Sequence, residues 1–398
     1  MQIKTLLSLS ALTFIAGIIL FAWRNEWIII HIPAWFRPMS GEHVGAINKK
    51  TVSVSFYKND NWHMEQIETI WEQDGVAKNS TRLAGIYFSL LYEEALTEQK
   101  IGTEAAATDS KGTTLYLSLT HNPLPTEATV KEKLMIIEGL LRTLRESIPS
   151  LAKLILLVHH QPLTDYHLDF TQTWPLEGFI NDHGDHGADS TYQRPQPTQK
   201  FKLLLDPTGD AQYTGRTIDD TFERGVSLQI AQELKHVLED LYPEVSCVLT
   251  RIPGETVEPL QNATFANRLP ANLFVHIGVV SHTKPLPIIA TYIMSSNRSI
   301  LAQPGASASL SFEPYTQAHE AISAVSYAQA QVFVHALKSQ GSEVPATIVA
   351  PRAFPFHPLV GMHVPALGIE ITVKSKDELK SLILPIARAL GKLSAPQA

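Results

Sequence analysis

Residues 201–228 read FKLLLDPTGDAQYTGRTIDDTFERGVSL, and this stretch decides the fold of the C-terminal half. Residues 201–205 form a short apolar run, as a buried strand requires. Asp206 and Pro207 close it, and a loop containing Gly215 follows. Over 219–241, Val226, Ile230, Leu234, Val237 and Leu238 recur at helical spacing and give one inward face. The alternation continues outward. Strands are expected at 245–250, 273–280, 288–294 and 367–373, and helices at 259–269, 317–339 and 377–393. Strands alternating with helices predict an α/β domain over 200–393: a mainly parallel sheet with helices on both faces. A site on such a sheet gathers at the C-terminal ends of the strands.

The N-terminal half has a different rhythm. Residues 50–58 alternate with period two and predict a strand, followed by a helix at about 80–97 and a strand at 112–120. Over 131–147, Leu134, Ile137, Leu140, Leu141 and Leu144 share one helical face, and 154–158 is a short apolar strand. This pattern predicts a small α+β domain over 50–175. Residues 176–199, with Gly184, Gly187, Pro195 and Pro197, have the composition of a flexible linker.

Residues 1–37 stand apart from both. From Leu6 to Trp23 there is no charge, and as a helix this stretch would span about 27 Å. No Ala-x-Ala-like cleavage site is evident near Ala22, and Trp23, Trp27 and Trp35 suit a membrane-interface belt. An uncleaved single-pass anchor is expected. Arg24, Arg37, Lys49 and Lys50 follow the span, so charge counting does not itself place the body outside.

The 398 residues carry a net charge of −7 and no basic cluster interleaved with aromatics, which argues against a nucleic-acid partner. The single cysteine, Cys247, excludes an internal disulfide and a cysteine-based zinc site. Its alternating flanks predict a buried structural thiol. His159, His160 and His167 with Asp165 and Asp169 offer metal-ligating types, as do His183 and His186 among the acids of 181–189. The plainer alternatives are exposed polar residues at a strand end and a solvated linker.

The C-terminal motifs resemble those of zinc-dependent N-acetylmuramoyl-L-alanine amidases. Asp206-Pro207 matches the start of that family's Asp-Pro-Gly-His-Gly-Gly, and Phe222-Glu-Arg-Gly-Val-Ser-Leu228 its Tyr-Glu-Lys-x-Val-Asn-Leu. Leu249-Thr-Arg251, Ala266-Asn267, Ala271-Asn-Leu-Phe274 and Pro365-Ala-Leu-Gly-Ile-Glu-Ile371 match further motifs in order. The resemblance implies a hydrolase in which two His and one Glu hold zinc, which activates water and polarises the carbonyl. A second Glu then serves as general base. Carried over, Glu223 takes the zinc-ligand position and Glu370 the general-base position. Both histidine positions hold glycine, Gly209 and Gly278, and the family's Arg in Leu-x-x-Arg is Asn262. His276, His282, His357 and His363 are the histidines from which a site could be rebuilt. His276 lies two strand residues, about 6.6 Å, from the lost position.

Residues 50–175 resemble the GerMN domain of spore germination proteins. The likeness rests on Leu115-Tyr-Leu-Ser-Leu119, Gly139-Leu-Leu-Arg-Thr-Leu144, Leu156-Leu-Val158 and His167-Leu-Asp-Phe170. It implies assembly or wall-associated interaction. Together the resemblances imply a membrane-anchored cell-envelope protein on the extracytoplasmic side of the inner (cytoplasmic) membrane. It would have no cofactor and would bind peptidoglycan or regulate a wall hydrolase or other envelope protein without cutting. The alternatives are an active amidase with a reworked zinc site and a structural assembly protein.

Overall fold

A computed structural model describes residues 47–179, 200–258, 260–269, 271–296 and 315–394. The expected membrane segment and the acidic His-containing stretch 181–189 lie outside these residues. Among the described residues, no helix is long and apolar enough to cross a membrane. The described residues from Asn48 onward make one compact unit.

The N-terminal part begins with a long hairpin of β1 (Ile47–Lys58) and β2 (Asn61–Glu72). Its two-residue turn, Asn59 and Asp60, has φ of 51° and 61°. Asn and Asp tolerate this left-handed region better than most side chains. Then come α1 (Val76–Glu93), β3 (Thr103–Thr108), β4 (Thr114–Leu119), α2 (Val130–Ser147), β5 (Lys153–Val158), β6 (Gln161–Pro162) and β7 (Trp174–Pro175). Strands β3, β4, β5 and β6 form a sheet in that order, with β7 on β5. Helix α2 carries β4 into its parallel neighbour β5. Residues 176–179, expected in the linker, belong to the packed body: Leu176 is buried, and the Glu138 carboxylate accepts the Phe179 N–H.

The C-terminal part contains β8 (Phe201–Pro207), β9 (Thr217–Ile218), β10 (Thr221–Phe222), α3 (Glu223–Leu241), β11 (Val245–Leu249), α4 (Gln261–Arg268), β12 (Leu273–Ser281) and β13 (Ile288–Met294). It continues with α5 (Ser323–Ser339), β14 (Thr347–Ile348), β15 (Arg352–Phe354), β16 (Ala366–Val373) and α6 (Lys380–Lys392). The seven-stranded sheet runs β11-β8-β12-β16-β13-β14, with β15 beside β13. Strands β11, β8, β12 and β16 are mutually parallel, and β13 is antiparallel to β16. This is the expected mixed α/β fold with a mainly parallel sheet.

Helices cover both faces of the sheet, but unequally. The three long helices do not divide between the faces of the sheet. Leu203, Leu205, Val275, Ile277, Ile369 and Ile371 form one core with the buried sides of α3, α5 and α6. The alternate residues face the other way, where Leu204, Phe274 and Tyr292 join a core that is continuous with the N-terminal part. There the helical cover from the sheet's own half is the short α4, through Ala263 and Ala266. The rest comes from residues 354–362 and from the first half of the chain, so the two parts share one core. The shared face also carries Asp206, His276, Gly278 and Glu370, polar or small residues that an apolar helix face could not satisfy.

Candidate functional site

The site begins with a small hairpin. The turn at Asp219 and Asp220 folds β10 back on β9, so the next pair outward is Arg216 opposite Glu223, joined by Glu223 N–H to Arg216 C=O at 2.8 Å. Both side chains are fully buried. The guanidinium grips Glu223 in bidentate fashion: Nε donates to Oε2 at 2.9 Å and Nη2 to Oε1 at 2.8 Å. Its remaining nitrogen, Nη1, donates to Glu370 Oε1 at 2.6 Å. Glu370 arrives from the centre of the sheet, on β16, paired in register with Gly278 of β12.

Every carboxylate oxygen in this cluster has two donors. Glu223 Oε1 also accepts the Val279 N–H and Oε2 the Arg216 N–H. Glu370 Oε2 accepts the Tyr292 hydroxyl at 3.0 Å, and Val130 N–H lies 3.1 and 3.2 Å from the two Glu370 oxygens. Val130 is the first residue of α2. The capping box of Thr129 and Glu132 satisfies the neighbouring N–H groups and leaves that of Val130 for Glu370. A helix N-terminus favours negative charge, which suits a cluster of one cation and two anions. Arg216 Nη1 also reaches the Ala128 carbonyl, so residues 128–130 sit over both groups.

The proton states follow from this packing. Burial raises the Glu223 carboxyl, but the charge and hydrogen bonds of Arg216 outweigh it and hold the group below the usual range. Burial also disfavours the Arg216 cation, and Glu223 and Glu370 more than restore it. Burial, then the Glu370 charge, pushes the Tyr292 phenol well above its usual value, so it stays a neutral donor.

A zinc ion does not fit these residues. A guanidinium lies between the two carboxylates, and no carboxylate oxygen is left without donors. Gly278 makes room for it: a Cβ there would lie 3.3 Å from Glu223 Oε1 and 3.4 Å from Arg216 Nη2. At Gly209, φ is +82° and a Cβ would lie 2.7 Å from Arg224 Cβ, so no side chain fits without moving the loop. The histidines named from the sequence do not converge. His276 Nδ1 is 2.7 Å from Asp206 Oδ2 and its Nε2 is 2.9 Å from Thr208 Oγ1. His282 Nδ1 accepts the Lys284 N–H, and the His363 N–H donates to Asn267. His357 and His276 border one cavity of about 210 Å³. Among the described residues, no three His, Cys, Asp or Glu side chains are grouped as a metal would need.

The N-terminal histidines separate as well. His159 and His160 occupy the exposed turn between β5 and β6, where His159 Nδ1 meets Glu104. His167 is buried beside Lys133, which pairs with Asp165 at 2.6 Å. Asp169 is taken by Thr171 and Gln172. Cys247 is buried on β11, as expected, and burial pushes its thiol up to about 12. Arg216, Tyr292 and Val130 are the site residues that sequence reading missed. The available signal was an arginine in the loop between the two amidase-like motifs, opposite two absent histidines.

No family model matches the chain, and no curated protein matches it. Solved structures do align with part of it. Two of them are N-acetylmuramoyl-L-alanine amidases and a third is an amidase. The catalytic domain of CwlV from Bacillus (Paenibacillus) polymyxa var. colistinus is 18% identical; the alignment covers 48% of this chain and 96% of that domain, with a TM-score of 0.33. AmiC2 of Nostoc punctiforme is also 18% identical, over 50% of this chain and 96% of that one, with a TM-score of 0.35. CwlD of Clostridioides difficile, solved in complex with the GerS lipoprotein, is 14% identical over 49% and 98%, with a TM-score of 0.34.

Proposed function

We propose that this chain is a cell-envelope protein whose amidase-like domain has exchanged its zinc centre for an internal arginine. It binds peptidoglycan, or regulates a wall hydrolase or another envelope protein, without cutting. The observation that carries this reading is Arg216 held between Glu223 and Glu370, the positions that the motif resemblance gives to a zinc ligand and a general base. A carboxylate bound to a guanidinium and buried beneath residues 128–130 has neither a free lone pair for zinc nor access to a substrate water. The GerMN-like part supplies that cover and makes the closed state part of the fold. Binding to the wall therefore uses surfaces other than the ground over Glu370. Residues 6–23 serve as the anchor that holds both parts outside the inner membrane.

The test uses the full-length chain purified in mild detergent. After equilibration with zinc and gel filtration, elemental analysis should find far less than stoichiometric metal. Purified sacculi should retain the chain and release no stem peptide. Stoichiometric zinc, together with peptide release abolished by Glu370→Ala, would establish the active-amidase alternative. Failure to bind sacculi and to alter a partner hydrolase would leave an assembly role.

A further inference from the structure

Two irregular pieces of backbone meet at one corner of the N-terminal sheet. On β3, the edge strand, the pairing with β4 slips between Thr103 and Ala105, so Glu104 is an extra residue without a partner across the ladder. A bulge of this kind re-aims a side chain. Here the Glu104 carboxylate reaches the turn between β5 and β6. His159 and His160 are that turn, with φ of 49° and 62°. Two successive left-handed residues favour Asn, Asp or Gly, and the β1–β2 turn of this chain is Asn59-Asp60. The turn itself has no need of two imidazoles. His121, two residues past the end of β4, adds a third.

Printed contacts tie these groups into one cluster. Glu104 Oε1 lies 2.7 Å from His159 Nδ1, and Oε2 lies 3.9 Å from His160 Nε2. Ser118 Oγ donates to Oε2 at 3.1 Å and accepts the His160 N–H at 2.9 Å, which orients the carboxylate and holds the turn beside it. The His121 ring meets that of His159 edge-on, with centroids 6.2 Å apart. His121 Nδ1 lies 2.9 Å from Thr120 Oγ1, and donating there leaves a lone pair on Nε2.

As they stand, the four side chains do not converge on one point. The distance to be covered is small. Donors on one tetrahedral ion with bonds of about 2.0–2.1 Å lie about 3.3–3.4 Å apart. The separations of 2.7 and 3.9 Å at Glu104 bracket that value. The His159 and His160 side chains are 65% and 66% exposed, so their rings turn without disturbing the core. Exposed polar residues at a strand end account for one histidine, but not for three around a carboxylate that a bulge delivers.

We infer that Glu104, His121, His159 and His160 form a surface site for a divalent transition-metal ion of the zinc class. Three neutral imidazoles and one carboxylate fill four positions, and they suit zinc, copper or nickel better than magnesium or calcium, which take oxygen ligands. The ion replaces the proton between Glu104 and His159 and fastens β3 to the β5–β6 turn. The site shares no residue with the Arg216 cluster, and the inference does not rest on the cell-envelope reading.

The test is a calorimetric titration of zinc chloride into the untagged full-length chain in mild detergent at neutral pH. A single ion should bind saturably with a dissociation constant of about 10–100 μM, weak enough to be lost on gel filtration. Millimolar magnesium should not compete. His159→Asn combined with His160→Gly suits the left-handed turn and should weaken zinc at least about tenfold; His121→Asn, which leaves the turn untouched, should do the same. No saturable binding to the parent chain, or unchanged affinity in both variants, overturns the assignment. Zinc that survives the turn variant but is lost in Glu223→Gln also overturns it and places the ion at the amidase-like cluster instead. Zinc lost in the turn variant and kept in Glu223→Gln supports the surface site and leaves the reading of Arg216 standing.

Discussion

Two neighbouring polar regions share one face of one sheet, and they have been finished differently. Around Arg216, each carboxylate oxygen has two donors, and the three side chains are almost wholly excluded from water. Around His276, two residues back along β12, the pairing of Asp206, Thr208 and His276 is just as firm, yet His167 Nε2 and Asn262 Oδ1 nearby are buried without partners among the described residues. A fully satisfied buried network specifies one structure and offers a ligand nothing. In the amidase resemblance the chemistry belongs to the first region. In this chain that region is closed by Arg216, which pairs with both carboxylates.

The largest break in that contrast is Arg216→Met. It keeps a long side chain and removes the cation, leaving Glu223 and Glu370 as buried, uncompensated anions. Breaking a buried pair from one side costs about 3–5 kcal/mol, and this change breaks two. Urea unfolding at neutral pH should show at least that loss, or no folded protein. The pH dependence carries the sign. In the unmodified chain Glu223 is held below the usual range, so its stabilisation is complete above a pH of about 4.3 and is lost as pH falls through its lowered value. In Arg216→Met the carboxyls fold more easily when protonated. The gap between variant and parent should therefore narrow as pH drops towards about 4. A gap that is constant with pH would mean that the cluster is held by shape rather than charge.

Gly278→His tests whether the vacant histidine position and the arginine exclude one another. The new side chain enters at 3.3–3.4 Å from Glu223, Thr208 and Arg216, and overpacking of this kind costs about 1–3 kcal/mol. With Arg216→Ser added, the space opens, and the two losses should sum to more than the double variant shows. Strict additivity in urea unfolding would separate Gly278 from Arg216 and undo the claim that the glycine exists to seat the guanidinium.

The sheet was legible because its central strands are nearly continuous apolar runs and its helices are strongly periodic. These signals lie within single segments. The β1–β2 hairpin was half-legible: Asn59-Asp60 is a turn signal, but β2 is mostly exposed and lacks a clean alternation. Glu223 and Glu370 could be placed by motif. Arg216 could not, because a loop arginine is ordinarily exposed, and its burial depends on partners 7, 88 and 154 residues away. The missing histidines told of a metal site without its ligands. That Arg216 lies buried between Glu223 and Glu370 is a fact of tertiary packing. So is the covering of Glu370 by the N-terminus of α2, which begins 240 residues earlier in the chain.

The smallest test concerns the redundancy of the sealed region. Tyr292→Phe removes the hydroxyl that donates to Glu370 Oε2 and changes little else, since the ring packs against Phe354 and Phe356. Glu370 Oε2 would keep the Val130 N–H, and Oε1 would keep Arg216. The cost should therefore be that of one hydrogen bond to a charged group with substitutes nearby, about 1 kcal/mol, read as a small shift in the urea midpoint with an unchanged slope. A much larger loss would show that Tyr292 carries the Glu370 charge that the geometry assigns to Arg216.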